Sequence, residues 1–127
     1  MRFEGRHEGV TYAITIKPKA DDKRLLRELK IEIYRKHASG DRHGFAWKLL
    51  FSEKELKVER YEDRHDWGGS YFRLVEVISL KADWIEAWYL EDVEKTIRDL
   101  GVKYAAEHFL KHLKLIFDHP LAIPLRL

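Results

Sequence analysis

Val10-Thr11-Tyr12-Ala13-Ile14-Thr15-Ile16-Lys17-Pro18 is the stretch whose reading decides the fold. Val10, Tyr12, Ile14 and Ile16 alternate with Thr11, Ala13, Thr15 and Lys17, the two-residue period of a half-buried strand. Pro18 ends it, because proline offers no N–H to a ladder. Upstream, Arg2 to Arg6 is expected to pair back through a Glu8-Gly9 turn. Downstream, Asp21 to Arg27 has the length for one helical turn. Leu29, Ile31 and Ile33 then alternate with Lys30, Glu32 and Tyr34, and Phe45, Trp47, Leu49 and Phe51 share one face. Leu56 to Tyr61 follows a short Glu/Lys turn, and Gly68-Gly69 opens Tyr71 to Leu80. Five or six strands in unbroken succession read as an antiparallel meander.

The last third changes period. Val102, Ala106, Phe109, Leu110, Leu113, Ile116 and Phe117 form one broad apolar face at helical spacing, and His119-Pro120 stops it. Before it, Ile85, Tyr89, Val93, Ile97 and Leu100 fall on one stripe, with Gly101 as a natural C-cap. Asp83 with Glu86 resembles a capping box and would start this helix early. Glu86 on the stripe, with Trp84 and Trp88 off it, supports an alternative. In that case Trp84 to Leu90 is a last strand and the helix begins near Glu91. The apolar tail, Leu121 to Leu127, is expected to be extended and to cover a sheet edge or dock on a neighbour. The expected fold is therefore α+β, a twisted antiparallel meander with two C-terminal helices on one face, forming one domain over residues 1–127.

Composition narrows the function classes. There is no cysteine, which removes disulfides, thiolate nucleophiles and Cys-based metal sites. There is also no asparagine or glutamine, and methionine occurs only at position 1. Depletion of these thermolabile residues is a mark of hyperthermophile proteins. No apolar run approaches the roughly 20 residues needed to span a bilayer, and Met1 to Arg6 lacks an apolar core for a signal peptide. A cytoplasmic location is expected. The net charge is only +2, yet residues 1–43 carry eleven Lys/Arg against seven Asp/Glu. A basic half of this kind suits a polyanion partner, although mixed-sign surfaces are also ordinary.

The motifs that would carry catalysis are thin. Ser39, Ser52, Ser70 and Ser79 sit in no nucleophile elbow, and there is no Gly-rich phosphate loop. Asp63, Arg64, His65 and Asp66 form a polar cluster before Gly68-Gly69, expected as a loop and resembling any long β-connection. Asp41-Arg42-His43 echoes it in another expected turn. His108 and His112 have the i,i+4 spacing of a helical metal pair but lack an evident third ligand. A small metal-dependent enzyme is thus the third-ranked reading, and no catalytic residue, metal or cofactor is assigned.

The strongest pattern lies on the sheet. If the apolar rows face the helices, the opposite rows present Lys30, Tyr34, Lys48, Lys57, Tyr61 and Arg73, with Trp67 and Tyr71 nearby. Cations interleaved with flat rings on an open sheet suit a single-stranded nucleic acid, the cations tracking phosphates and the rings stacking bases. Glu32, Glu59 and Glu76 dilute that charge. The alternative is a protein-interaction or regulatory module, a homodimer being its simplest form. It would use Trp84, Trp88, Tyr104 and Leu115 on the helices together with the C-terminal tail.

Overall fold

Alternating apolar and polar side chains give each strand one face to bury, and successive short turns lay the strands side by side. The computed structural model describes residues 1–36, 42–52, 55–66, 69–81, 88–117 and 123–125; side chains are described for these except 64–66, 69–72, 80–81, 114–117 and 123–125. β1 (Arg2–His7) and β2 (Val10–Pro18) form a hairpin about Glu8 and Gly9, whose φ values are 51° and 79°. Two positive φ angles match the twist of the flanking strands, and Gly9 adopts its value without steric cost. β3 (Leu26–Lys36), β4 (Arg42–Phe51), β5 (Glu55–Asp66) and β6 (Gly69–Lys81) follow in order, each antiparallel to the last. Then come α1 (Leu90–Leu100) and α2 (Val102–Phe117), and β7 (Ile123–Leu125) returns to pair with β6. The expected α+β meander with two C-terminal helices is therefore the observed fold. The tail takes the expected role of covering an edge, pairing Ile123 with Ser79 and Leu125 with Val77.

Three local expectations are corrected. Asp21 to Arg27 does not make a helical turn. The Asp22 carboxylate accepts the Arg24 backbone N–H at 3.1 Å and the Arg24 guanidinium at 3.0 Å. A short acidic side chain that bonds its neighbour's backbone competes with helix, and β3 instead begins at Leu26. The Asp63 to Asp66 cluster is not a loop, since β5 runs through it and Asp66 pairs with Gly69. Finally, α1 begins at Leu90 and not near Asp83. Tyr89 bridges Leu25, Leu26 N–H donates to the Trp88 carbonyl at 3.0 Å, and Leu90 N–H donates to the Arg24 carbonyl at 2.8 Å. Backbone groups already paired to the start of β3 hold this segment extended until Leu90. Asp83, Trp84, Ile85 and Glu86, which carried the earlier start, lie outside the described residues.

The core sits between one sheet face and the helices. Ile14, Ile16, Leu29, Ile31, Leu49, Leu56 and Val58 meet Val93, Ile97, Ala105, Ala106, Phe109 and Leu113, all buried. Trp88 belongs to this packing, its ring centroid 5.4 Å from Phe51 and 5.9 Å from Phe109. Its expected place on an exposed helical patch is thus corrected, because the extended segment turns its ring inward. Gly101 ends α1, donating its N–H to the Ile97 carbonyl at 2.9 Å, and α2 follows directly. No described helix is long and apolar enough to cross a membrane.

Candidate nucleic-acid interface

Register decides which side chains share the face turned away from the helices. Lys17, Glu28, Leu50 and Lys57 form one rung across β2 to β5, and Thr15, Lys30, Lys48 and Glu59 form the next. Ala13, Glu32, Ala46 and Tyr61 follow, and Thr11, Tyr34 and Gly44 come after them. Arg2, Glu4 and Arg6 of β1 extend these rows from the edge. Lys30, Tyr34, Lys48, Lys57 and Tyr61 therefore do share one face, as their spacing implies.

Arg73 does not. A bulge pairs Arg60 with Glu76 but Tyr61 with Leu74, placing one extra residue in β6. Beyond it the alternation of β6 is reversed, and Arg73 pairs with Glu62 on the row that carries Phe45. Trp67 lies outside the described residues, and Tyr71 is described in its backbone alone, paired with Arg64.

Two carboxylates organise the charge. Glu28 and Glu32 are 6% and 5% exposed, unusual for glutamate on a face without helices. Ala13 and Ala46, the small cross-strand neighbours of Glu32, leave room for longer side chains to close over it, while Glu28 lies between Lys17 and Leu50. Glu28 lies 3.2 Å from Lys17 Nζ and 3.3 Å from Lys48 Nζ. Glu32 accepts from Arg2 Nη1 at 2.9 Å, with Lys30 at 3.9 Å and Arg42 at 4.0 Å. Burial alone would raise the Glu28 pKa, but hydrogen bonds from Lys17 and Lys48 and their charges outweigh it, and the net direction is down. Lys30 and Lys48 stand directly opposite one another, a like-charge pair that these carboxylates make tolerable.

The rings are less open than the cations. Tyr34 is buried, and the Arg42 guanidinium carbon lies 4.7 Å from its ring centroid. Gly44 is the cross-strand neighbour of Tyr34; a Cβ there would lie 2.0 Å from the Ile33 carbonyl oxygen. Tyr61 is half-buried and donates its hydroxyl to Glu59 Oε1 at 3.2 Å. Burial and the Glu59 charge hold its phenol above the usual range. Sequence reasoning missed Arg2, Lys17 and Arg42 as members of this face. Carrying the two-residue period of Val10 to Lys17 through the Glu8-Gly9 hairpin would have found the first two.

On the helical side, His108 and His112 both line a cleft of about 200 Å³ between α1 and α2. The His112 ring meets Trp88 edge-on at 5.5 Å. Asp92 borders the same cleft, but among the described residues no three His, Cys, Asp or Glu side chains stand close enough to hold a metal ion. Tyr104 is exposed, as its place off the core stripe implies, while the Leu115 side chain and Trp84 fall outside what is described. No protein-family model matches the chain, and neither does any curated protein or solved structure.

Proposed function

We propose that the chain binds single-stranded nucleic acid without catalysing a reaction, using the sheet face turned away from the helices. The observation that supports this is the imbalance around the two buried carboxylates. Arg2, Lys17, Lys30, Arg42 and Lys48 converge on Glu28 and Glu32, with Glu4 a further 3.8 Å partner of Arg2, so five cations share three carboxylates. These cation side chains remain 33–49% exposed. The carboxylates fix their positions while leaving donors free for phosphate oxygens, the preorganisation that a phosphate-tracking surface needs. Tyr61, half-exposed among them, supplies a partial ring face. The composition further supports a thermostable protein of a hyperthermophile, working in the cytoplasm.

The test is a titration of labelled oligo-dT, with a duplex control, at about 50 and 200 mM salt. Binding should prefer the single strand and weaken with salt. Engagement of three to five phosphates gives a log–log slope of about −2 to −3.5. No binding at the lower salt overturns the proposal.

A second reading, a protein-interaction module, is favoured by Leu100 and Tyr104, which are 45% and 59% exposed on the outer side of the helices. A dimeric mass on gel filtration, lost in Tyr104→Ala, supports it; a monomer at all concentrations speaks against the homodimer.

A further inference from the structure

An exposed phenylalanine stands where the apolar alternation of β4 should have buried it. Phe45 lies on the helix-bearing side of the sheet, in the same row as Trp47, Leu49 and Phe51, yet it is 43% exposed. The cause is where the helices run. Among the described residues α2 packs chiefly over β1 and β2, with Val102 against Gly5, and not over the outer end of β4. Phe45 rests against Trp47, with ring centroids 5.9 Å apart and planes tilted by 35°, while Trp47 itself packs on the core. One side of the phenylalanine ring is thereby supported by the protein interior while the residue keeps much of its surface in solvent.

The charge around this ring points to an anionic partner. In the next rung Arg35 pairs with His43, both exposed, and Phe45 itself pairs with Ile33 and Glu62. Glu62 is already engaged by Arg60 at 3.3 Å, and Arg60 by Glu76 at 3.1 Å. Exposed Arg73 stands across from Glu62. Lys36 and Arg42 make the last rung of the same strand pair and face the opposite side. Cations thus continue around the end of β3 and β4, from the face that holds Glu32 to the face that holds Phe45. Among the described side chains the basic face offers no comparable ring, since Tyr34 is covered by Arg42 and Tyr61 is tied to Glu59.

We infer that Phe45 is the platform on which a nucleobase of the bound single strand stacks, its flanking phosphates held by Arg35 and Arg73. This rests on the nucleic-acid reading above and adds an open base contact where Tyr61 offers only a partial ring face. A ring held by its neighbour pays little entropy on stacking and accepts any base, because every base has a π face.

The experiment titrates the full chain with oligo-dT and, as a base-free polyanion, inorganic polyphosphate of matched charge. Wild type is compared with Phe45→Leu, which retains apolar contact with Trp47, and Phe45→Tyr, which retains the ring. Phe45→Leu should bind oligo-dT about tenfold more weakly, lose part of the tryptophan quenching, and bind polyphosphate unchanged, with Phe45→Tyr restoring the first two. Unchanged oligo-dT affinity in Phe45→Leu overturns the stacking platform and leaves nucleic-acid binding standing. So does an equal loss for both ligands, or a change of mass on gel filtration, which would assign Phe45 to structure or to an interface between copies. Failure of wild type to bind either ligand ends the nucleic-acid reading and this inference together.

Discussion

The Arg42 guanidinium carbon lies 4.7 Å above the centroid of the Tyr34 ring, and the same side chain reaches to 4.0 Å from Glu32. Tyr34 as a whole is buried, so no base can stack on its ring without displacing Arg42. Tyr34 is therefore a packing residue on a charged face. Tyr34→Ala should lower stability by about 3 kcal/mol, the cost of deleting a buried aromatic. Oligo-dT affinity of the folded protein should stay within about twofold, as read by titration well below the melting temperature. A loss of tenfold or more would return Tyr34 to the binding surface.

Glu32 predicts effects of opposite sign on stability and binding. Its carboxylate neutralises Arg2, Lys30 and Arg42 together. Glu32→Gln keeps the shape and removes the charge, leaving three cations facing one another. Stability should fall by about 1–3 kcal/mol, the usual cost of breaking a buried charge-assisted contact. Polyanion affinity should rise, most clearly at low salt, because only Glu4, 3.8 Å from Arg2, then competes with phosphate for these three cations. Denaturant melts and oligo-dT titrations on the same sample decide it. Weaker binding would mean that ordered cations matter more than freed ones.

Glu28 gives the pH dependence. Its folded pKa is lowered from the ordinary 4.5. The ionised form thus contributes stability in full above that value, and the contribution is lost as pH falls through the lowered folded value. Glu28→Gln should be less stable than wild type at pH 7, and the gap should close as the pH is taken below about 4. Thermal melts at intervals between pH 7 and 3 measure it. A gap that persists unchanged into acid would mean that Lys17 and Lys48 do not hold the carboxylate.

Legibility from sequence followed the length of each periodic run. The strands at Val10 and Leu29 and the helix from Val102 were readable because many side chains repeat one period and local propensity agrees with burial. The start of α1 was legible only as the second of two alternatives, the one that begins the helix near Glu91, because a capping-box pattern at Asp83 competed with the backbone pairing of Tyr89 to Leu25, a contact between residues far apart in the chain. Arg73 was assigned to the wrong face for a similar reason. Strict alternation cannot anticipate the extra residue between Leu74 and Glu76, and one inserted residue moves everything beyond it to the opposite side. The basic face was legible in Lys30 and Lys48. The two buried glutamates that organise it were not, since glutamate on a strand ordinarily reads as solvated.

Gly44 tests the close approach of β3 and β4. A Cβ at this position would lie 2.0 Å from the Ile33 carbonyl oxygen and 2.6 Å from Tyr34 Cα, both backbone atoms that cannot rotate away. Gly44→Ala must push the strands apart where Arg35 pairs with His43 and Lys36 with Arg42. A destabilisation of about 2 kcal/mol or more is expected, within the range of overpacking in a core. Tyr34, which packs beside this glycine, should become more exposed. Chemical denaturation gives the first quantity and iodination of tyrosine the second. A neutral substitution would show that the strand pair opens freely.

Trp88 separates a core role from an interface role. Its ring lies 5.4 Å from Phe51, 5.9 Å from Phe109 and 5.5 Å from His112, which joins the start of α1 to α2 and to the sheet. Trp88→Ala should lower stability by about 3 kcal/mol, at the lower end for deleting a large aromatic because the residue is only half-buried. Trp88→Phe should restore most of it, since a smaller ring still reaches both neighbours. The mass on gel filtration should be the same for wild type and both variants, as the ring faces inward. Tyr104→Ala, on the exposed side of α2, should do the reverse: stability within about 0.5 kcal/mol of wild type, and any self-association reduced. If Trp88→Ala changed the mass while leaving the melt intact, the ring would belong to an interface and the packing against Phe51 and Phe109 would be incidental.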